Sequence, residues 1–185
     1  TNIDNDEISK QEGTLTVTNR EAKYEITVKA NSATATYDGK EHEAVGVETY
    51  EFTVEGNSYT VSGLSTEDPK QKDAGSYTNN ITGTPVVTDK EGNVVTSEFE
   101  VKTENGSLEI GKAAVTLKSA TLSKKYDGNA LVNGDTALEV ESGFAEGEGA
   151  TYNFTGSQTV VGSSANAFSY ELNGNTNIDN YEISK

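Results

Sequence analysis

The 185-residue sequence predicts an all-β fold made of two tandem modules. Three observations predict it: short runs alternate apolar with polar residues, no window carries apolar residues at helical spacing, and segments of the sequence recur. Alternation with period two is typical of strands that bury one face, and the Thr, Val and Tyr content suits a pleated, half-buried surface. We therefore expect no long helix.

The alternating runs give the strands in chain order. They are Tyr24–Val28, Tyr50–Val54, Ala113–Leu117, Ala137–Val140, Phe168–Leu172 and Tyr181–Ile183. Turn residues separate the runs, and Val86–Val95 predicts a hairpin in which Gly92 takes a positive φ. Asn105-Gly106 and Asn173-Gly174 are dipeptides typical of tight turns.

The two ends of the chain carry almost the same ten residues. Thr1–Lys10 recurs as Thr176–Lys185, and only Asp6 differs, where the second copy has Tyr181. Gly13-Thr-Leu-Thr-Val17 likewise matches Gly106-Ser-Leu-Glu-Ile110. We therefore interpret residues 1–17 as terminal strands that continue from a preceding repeat, residues 18–111 as the first β module and residues 112–185 as the second.

Weaker matches inside the modules support this division. Tyr37-Asp38-Gly39 recurs as Tyr126-Asp127-Gly128, 89 residues further along the chain. A spacing of 93 residues pairs Tyr59 with Tyr152 and Ser76-Tyr77 with Ser169-Tyr170. In each Tyr-Asp-Gly motif we expect the Tyr to end a strand, the Asp to accept a turn hydrogen bond and the Gly to take a positive φ.

Each module has about seven short strands, and two packed antiparallel sheets would bury their inner faces. Asp73-Ala-Gly-Ser-Tyr77 matches a tyrosine corner, in which the Tyr hydroxyl bonds to backbone a few residues upstream. This favours a small antiparallel β-sandwich of the immunoglobulin-like type. β-grasp-like modules are the alternative, and they would need a helix that the sequence does not show.

Composition excludes several classes of function. With 14 Lys and Arg against 30 Asp and Glu, the net charge of −16 repels nucleic acid and anionic membranes. The absence of Cys excludes disulfides, thiolate nucleophiles and cysteine-based metal sites. No apolar stretch approaches the ~20 residues that cross a bilayer, so we expect no membrane insertion.

Catalytic motifs are not apparent, and we expect neither catalytic residues nor an enzyme. His42, flanked by Glu41 and Glu43, is the only histidine, and we interpret it as an exposed loop residue rather than a metal ligand. No Gly-x-Ser-x-Gly motif holds a nucleophile for a Ser-His-Asp triad. With 30 Asp and Glu residues, some carboxylates must lie close together, so a close pair is no indication of glycoside hydrolysis.

Two further segments resemble ligand sites but have simpler explanations. Gly147-Glu-Gly-Ala-Thr151 is glycine-rich like a phosphate loop, but Glu146 and Glu148 would repel phosphate, so we expect an ordinary loop. Asn2–Glu7 is the densest oxygen cluster and the best candidate for Ca²⁺. Because the second copy has Tyr181 where Asp6 stands, a strand and its turn explain the segment better, and we expect no cofactor.

The second module carries four short motifs in a fixed order: Tyr126-Asp127-Gly128, Leu131-Val-Asn-Gly-Asp135, Ser169-Tyr170 and Asn180-Tyr-Glu-Ile183. In this order of motifs the chain resembles the MBG/YDG-type tandem repeats of bacterial cell-surface adhesins. In that family a Gly-x-Leu-x-Ile/Val strand follows, as at Gly13–Val17 and Gly106–Ile110. The first module departs from the pattern, with Glu98-Phe-Glu-Val101 in place of Asn-Tyr-x-Ile.

The resemblance implies an extracellular protein of the cell surface or cell wall. Its modules would act as a structural and adhesive stalk, with neighbouring repeat modules as partners. The alternative is a module that binds a host glycan or surface protein.

The resemblance also implies that the second module lacks its closing strand at Lys185. Gly13–Val17 of one molecule could then pair head to tail with that open edge in another, although residues 1–17 could equally fray or anneal onto their own module. We expect mostly monomer.

Overall fold

The computed structural model describes residues 10–18 and 22–185. The regular secondary structure of the described chain is almost entirely β, which confirms the predicted all-β class. Its helical segments are two single 3₁₀ turns, at Thr96–Glu98 and Ile178–Asn180. Residues 10–18 form no strand and are exposed.

Ten strands lie in residues 22–111. They are β1 (Tyr24–Lys29), β2 (Ala33–Thr36), β3 (His42–Glu43), β4 (Glu51–Val54), β5 (Asn57–Thr66), β6 (Lys70–Gln71), β7 (Gly75–Asn79), β8 (Ile81–Asp89), β9 (Phe99–Glu104) and β10 (Gly106–Gly111). Hydrogen bonds join them in the orders β1-β9, β2-β10-β7, β3-β6 and β4-β5-β8. Residues 22–111 are called the first half below.

Seven strands follow in residues 112–185, the second half. They are β11 (Ala113–Lys118), β12 (Leu131–Val132), β13 (Val140–Ser142), β14 (Ala150–Phe154), β15 (Ser157–Gln158), β16 (Phe168–Leu172) and β17 (Tyr181–Ser184). They pair in the orders β13-β11-β17, β12-β15 and β14-β16.

Each half pairs its first strand in parallel with a strand near its end, β9 or β17, whereas the sequence predicted antiparallel sheets. Tyr24 of β1 lies opposite Phe99 of β9, and Ala113 of β11 lies opposite Tyr181 of β17. β2 and β10 are also parallel. A parallel pair needs a long connection, and here the intervening strands of the half supply it. The remaining ladders are antiparallel.

Most of the predicted strands are present, but the segment Ala137–Val140 is not one of them. Only Val140 belongs to a strand, β13, because the chain turns at residues 133–136 and pairs with β11 from Val140 onward. The hairpin after Val86 is confirmed, with Gly92 at φ 87° and an Asp89 N–H···O=C Asn93 bond of 3.0 Å.

Asn105-Gly106 is not a tight turn, and this prediction was wrong. The chain passes there from β9, beside β1, to β10, which lies between β2 and β7. Glycine is needed for close approach, because a Cβ on Gly106 would lie 2.2 Å from the Asn31 carbonyl oxygen. The Asn173-Gly174 turn is confirmed by a 2.9 Å bond from Thr176 N–H to Asn173 O.

The 93-residue spacing does not place the matched tyrosines opposite equivalent partners. Tyr152 lies opposite Tyr170 in the β14-β16 ladder, whereas Tyr59 lies opposite Asp89 and Tyr77 opposite Leu108. The bond predicted for the tyrosine corner is present: the Tyr77 hydroxyl donates to the carbonyl oxygen of Asp73 at 3.0 Å.

Two buried clusters form the core. One lies wholly in the first half and contains Ile26, Val28, Val61, Val87 and Phe99. The other draws Tyr37, Ala44, Leu108 and Ile110 from the first half and Ala113, Val115, Leu117 and Tyr181 from the second. The second cluster therefore passes through the predicted boundary at Gly111.

Candidate functional site

The candidate site is the contact between the two halves, where buried polar side chains form hydrogen bonds. Lys112 alone separates β10 from β11, so the last strand of the first half leads directly into the first strand of the second. A link of one residue leaves little freedom between the halves. The side chains around it fix their arrangement further.

Glu148 lies at the centre of this contact, between two tyrosines. The Tyr37 hydroxyl donates to its Oε1 at 2.5 Å, and the Tyr181 hydroxyl donates to its Oε2 at 2.8 Å. The Glu148 side chain is 7% exposed, and Lys72 Nζ lies 3.9 Å from Oε1. A buried carboxylate needs such donors, because an unpaired charge inside a protein is costly.

The same contact raises the pKa values of both tyrosines. Burial, followed by the hydrogen bond to Glu148, raises the pKa of Tyr37 above its ordinary value. Burial is also the largest cause that raises the pKa of Tyr181. The two rings meet edge to face, with centroids 5.3 Å apart. Both hydroxyls are therefore held protonated as donors to the carboxylate.

Asn180 forms a second polar link between the halves. Its side-chain oxygen accepts the Ala74 backbone N–H at 2.8 Å, and its Nδ2 donates to Asp73 Oδ1 at 2.8 Å. Asn180 is 1% exposed, so these bonds replace water entirely. We name Tyr37, Asp73, Ala74, Glu148, Asn180 and Tyr181 together the junction.

The predicted turn roles of Asp and Gly in the Tyr-Asp-Gly motifs are confirmed, but neither Tyr ends a strand as predicted. β2 ends at Thr36, and the residues before Tyr126 form no strand. Oδ1 of Asp38 accepts Lys40 N–H, and Oδ1 of Asp127 accepts Asn129 N–H, each at 2.9 Å. The glycines take φ of 79° and 81°. The two tyrosines differ, however: Tyr37 is 4% exposed in the junction, whereas Tyr126 is 68% exposed.

His42 lies in the short strand β3 rather than in a loop. Its Nε2 is 2.9 Å from Asp38 Oδ1. The pKa of Asp38 is lowered chiefly by the Lys40 N–H and then by His42. In residues 10–18 and 22–185, no three His, Asp or Glu side chains form a group that could hold a metal ion.

The Asn2–Glu7 cluster, the candidate for Ca²⁺, lies outside the described residues. Its copy near the end of the chain has the strand and turn that the sequence predicted. The Asn177 side chain accepts the Asp179 N–H at 3.0 Å, which caps the 3₁₀ turn before β17. The oxygens of Asn177 and Asn180 thus have structural partners.

The predicted loop at Glu148 is confirmed, but the hydrogen bonds that Glu148 accepts from Tyr37 and Tyr181 were not predicted. The turn at Ala145–Glu148 is closed by a 3.0 Å bond from Glu148 N–H to Ala145 O. Nothing local distinguishes Glu148 from the other acids, because Tyr37 is 111 residues away in sequence. The recurrence of the Asn-Ile-Asp-Asn segment was the one available signal for Asn180.

Comparison of the chain with models of protein families, with curated proteins and with solved structures finds no match. Over the described residues, no helix combines the length and apolar character needed to cross a bilayer.

Proposed function

We propose that this chain is a non-catalytic pair of repeat modules from the stalk of a secreted bacterial cell-surface adhesion protein, of the MBG/YDG type. The observation that carries the proposal is the junction, where Glu148 receives hydrogen bonds from a tyrosine of each half. A stalk must hold successive modules in a fixed orientation. Buried side chains and a one-residue link do this at the contact between the halves.

The repeated plan of the halves supports the same proposal. In each half the first strand forms a parallel ladder, β1 with β9 and β11 with β17, and the first residues of the two strands lie opposite each other. A 3₁₀ turn directly precedes both β9 and β17. We propose that each half is a small immunoglobulin-like sandwich. In the first half, β1-β9 and β4-β5-β8 would enclose the cluster around Val28 and Val87.

The charge of the chain also suits a stalk. The net charge of −16 would keep an array of such modules soluble outside the cell.

Small-angle X-ray scattering tests the proposal, with and without EDTA. A stalk predicts a radius of gyration clearly above the roughly 16 Å of a compact domain of this length, unchanged by the chelator. A compact or chelator-sensitive particle would contradict it. A glycan array in parallel separates the alternative, because saturable glycan binding by the chain would make it a binding module.

A further inference from the structure

The sequence contains three Asn-Gly dipeptides, and their surroundings in the structure differ. They are Asn105-Gly106, Asn133-Gly134 and Asn173-Gly174. Such a dipeptide can react with itself: the backbone nitrogen of the glycine attacks the side-chain amide carbon of the asparagine, and ammonia leaves. Glycine favours this step because it has no Cβ to hinder the approach and its backbone adopts many conformations. The reaction therefore depends on how firmly each pair is held.

Asn105 is held at both ends of its side-chain amide. Its Oδ1 accepts the Ile81 N–H at 2.9 Å, and its Nδ2 donates to Asn80 Oδ1 at 2.8 Å. Gly106 is buried in β10, where a Cβ would lie 2.2 Å from the Asn31 carbonyl oxygen. The amide carbon of Asn105 reaches the Gly106 nitrogen only when both hydrogen bonds break and the start of the strand opens.

Asn133 is held in a similar way and is also buried. It is 4% exposed, its Nδ2 donates to the Thr136 carbonyl oxygen at 2.5 Å, and its Oδ1 accepts Asn166 Nδ2 at 2.7 Å. Both hydrogen bonds must break before the side chain turns toward the nitrogen of Gly134. Burial and hydrogen bonds therefore protect Asn133 as well.

Asn173 lacks both kinds of protection. Its side chain is exposed, and its amide group forms no hydrogen bond within the part of the chain that the structure describes. Gly174 is exposed as well, and a Cβ at this position would meet no atom within 4 Å. Neither a hydrogen bond of the side chain nor a neighbouring atom therefore keeps the amide carbon of Asn173 away from the Gly174 nitrogen.

We propose that Asn173 is a site of spontaneous deamidation, at which the chain modifies itself. A bond forms between the Gly174 nitrogen and Cγ of Asn173, and the Cγ–Nδ2 bond breaks. The proton of the Gly174 nitrogen passes to the departing amide nitrogen, which leaves as ammonia, and a cyclic imide remains. Water then opens the imide at one of its two carbonyl groups, which gives aspartate or isoaspartate. Water is the only other reactant.

The position of the turn connects this site to the junction. Asn173 N–H donates to the carbonyl oxygen of Gly149 at 2.9 Å, and Thr176 N–H donates to that of Asn173 at 2.9 Å. The Thr176 hydroxyl accepts the Gly149 N–H at 2.9 Å and donates to the Gly149 carbonyl oxygen at 3.0 Å. Gly149 directly follows Glu148, the carboxylate that both junction tyrosines contact.

Isoaspartate at position 173 would lengthen the backbone of this turn. The chain would continue through Cγ, and the carbonyl oxygen that accepts Thr176 N–H would become part of a free carboxylate. We expect the bonds that hold Gly149 to weaken, so that the Glu148 loop opens more often. Slow chemical ageing at Asn173 would thus loosen the contact between the halves. This inference goes beyond the proposed function, because it depends on the geometry of the turn and not on the role of the chain.

Incubation of the full chain at mildly alkaline pH, followed by peptide mapping with mass spectrometry, tests the site. We expect Asn173 to deamidate at least about tenfold faster than Asn105 or Asn133, because two hydrogen bonds protect each of those. Gly174→Ala should slow the reaction clearly, since its Cβ hinders the attack and the turn has room for it. Equal rates at the three asparagines, or a rate at Asn173 that Gly174→Ala leaves unchanged, would overturn the proposal.

Amide hydrogen exchange of the incubated chain tests the connection to the junction. The N–H groups of Glu148 and Gly149 should exchange faster once isoaspartate has formed, whereas the chain with Gly174→Ala, incubated in parallel, should not change. Asn173→Asp is the matched control, because it adds a carboxylate without lengthening the backbone, and its exchange should resemble that of the fresh chain. Exchange that does not respond to isoaspartate, or that is equally fast in Asn173→Asp, would overturn the role of the longer backbone. A compact particle in solution would contradict the stalk and leave these expectations unchanged.

Discussion

Replacing Tyr37 with Phe removes one hydroxyl from the junction and leaves the ring in place. That hydroxyl donates to Glu148 Oε1 at 2.5 Å, in surroundings that exclude water. A hydrogen bond to a charged group contributes about 1.5–3 kcal/mol. Tyr37→Phe should therefore lower the free energy of unfolding by about that amount, roughly a 10- to 150-fold change in the folding equilibrium.

Tyr126, the counterpart of Tyr37 in the second Tyr-Asp-Gly motif, provides the matched control. Tyr126 occupies the same motif but is exposed, so Tyr126→Phe should change stability by less than about 0.5 kcal/mol. Calorimetry should show the melting temperature lowered by about 3–12 °C for Tyr37→Phe only. Equal melting temperatures for the two variants would refute the assignment of Glu148 and Tyr37 as a stabilising contact between the halves.

Three further outcomes follow from the same contacts. Leu108→Ala should cost about 2–5 kcal/mol in urea denaturation, because Leu108 is fully buried, whereas Leu15→Ala should be neutral; equal effects would contradict the core assignment. Asn180→Ala removes two buried hydrogen bonds and should cost about 2–3 kcal/mol, with faster amide exchange at Ala74; unchanged exchange there would count against the link. Burial raises the pKa of Tyr181, so the stability it contributes is present below about pH 10 and is lost as pH rises through the raised value. The difference in ultraviolet absorbance between the chain and Tyr181→Phe should therefore show this tyrosine ionising together with alkaline unfolding, and a difference that titrates reversibly near pH 10 without unfolding would disprove its burial.

Local pattern predicted the strands well and the pairing poorly. Alternation located β1, β4, β11, β16 and β17, because each strand buries one face. The strand predicted from alternation at Ala137–Val140 and the turn predicted from the dipeptide Asn105-Gly106 were wrong, because the partner strand rather than the local sequence decides the conformation there. The parallel pairing of β1 with β9 and of β11 with β17 depends on contacts about 70 residues apart, which periodicity does not encode.

The junction could not be predicted from the sequence, for a related reason. The Tyr-Asp-Gly motif was correctly assigned to a turn from its Asp and Gly. The role of Tyr37 depends on Glu148, and no sequence spacing links a turn in one half to a loop in the other. The recurrence of Asn180 in the terminal ten residues pointed to importance but not to its partners, Asp73 and Ala74.

Distance measurement by pulsed electron paramagnetic resonance tests the central claim most directly. The chain has no Cys, so Ser58→Cys and Asn153→Cys, on exposed positions of β5 and β14, would place one spin label on each half. A junction that fixes the halves predicts one narrow distance distribution, broadened when Asn180→Ala is added. A broad distribution in the chain without Asn180→Ala would contradict the account.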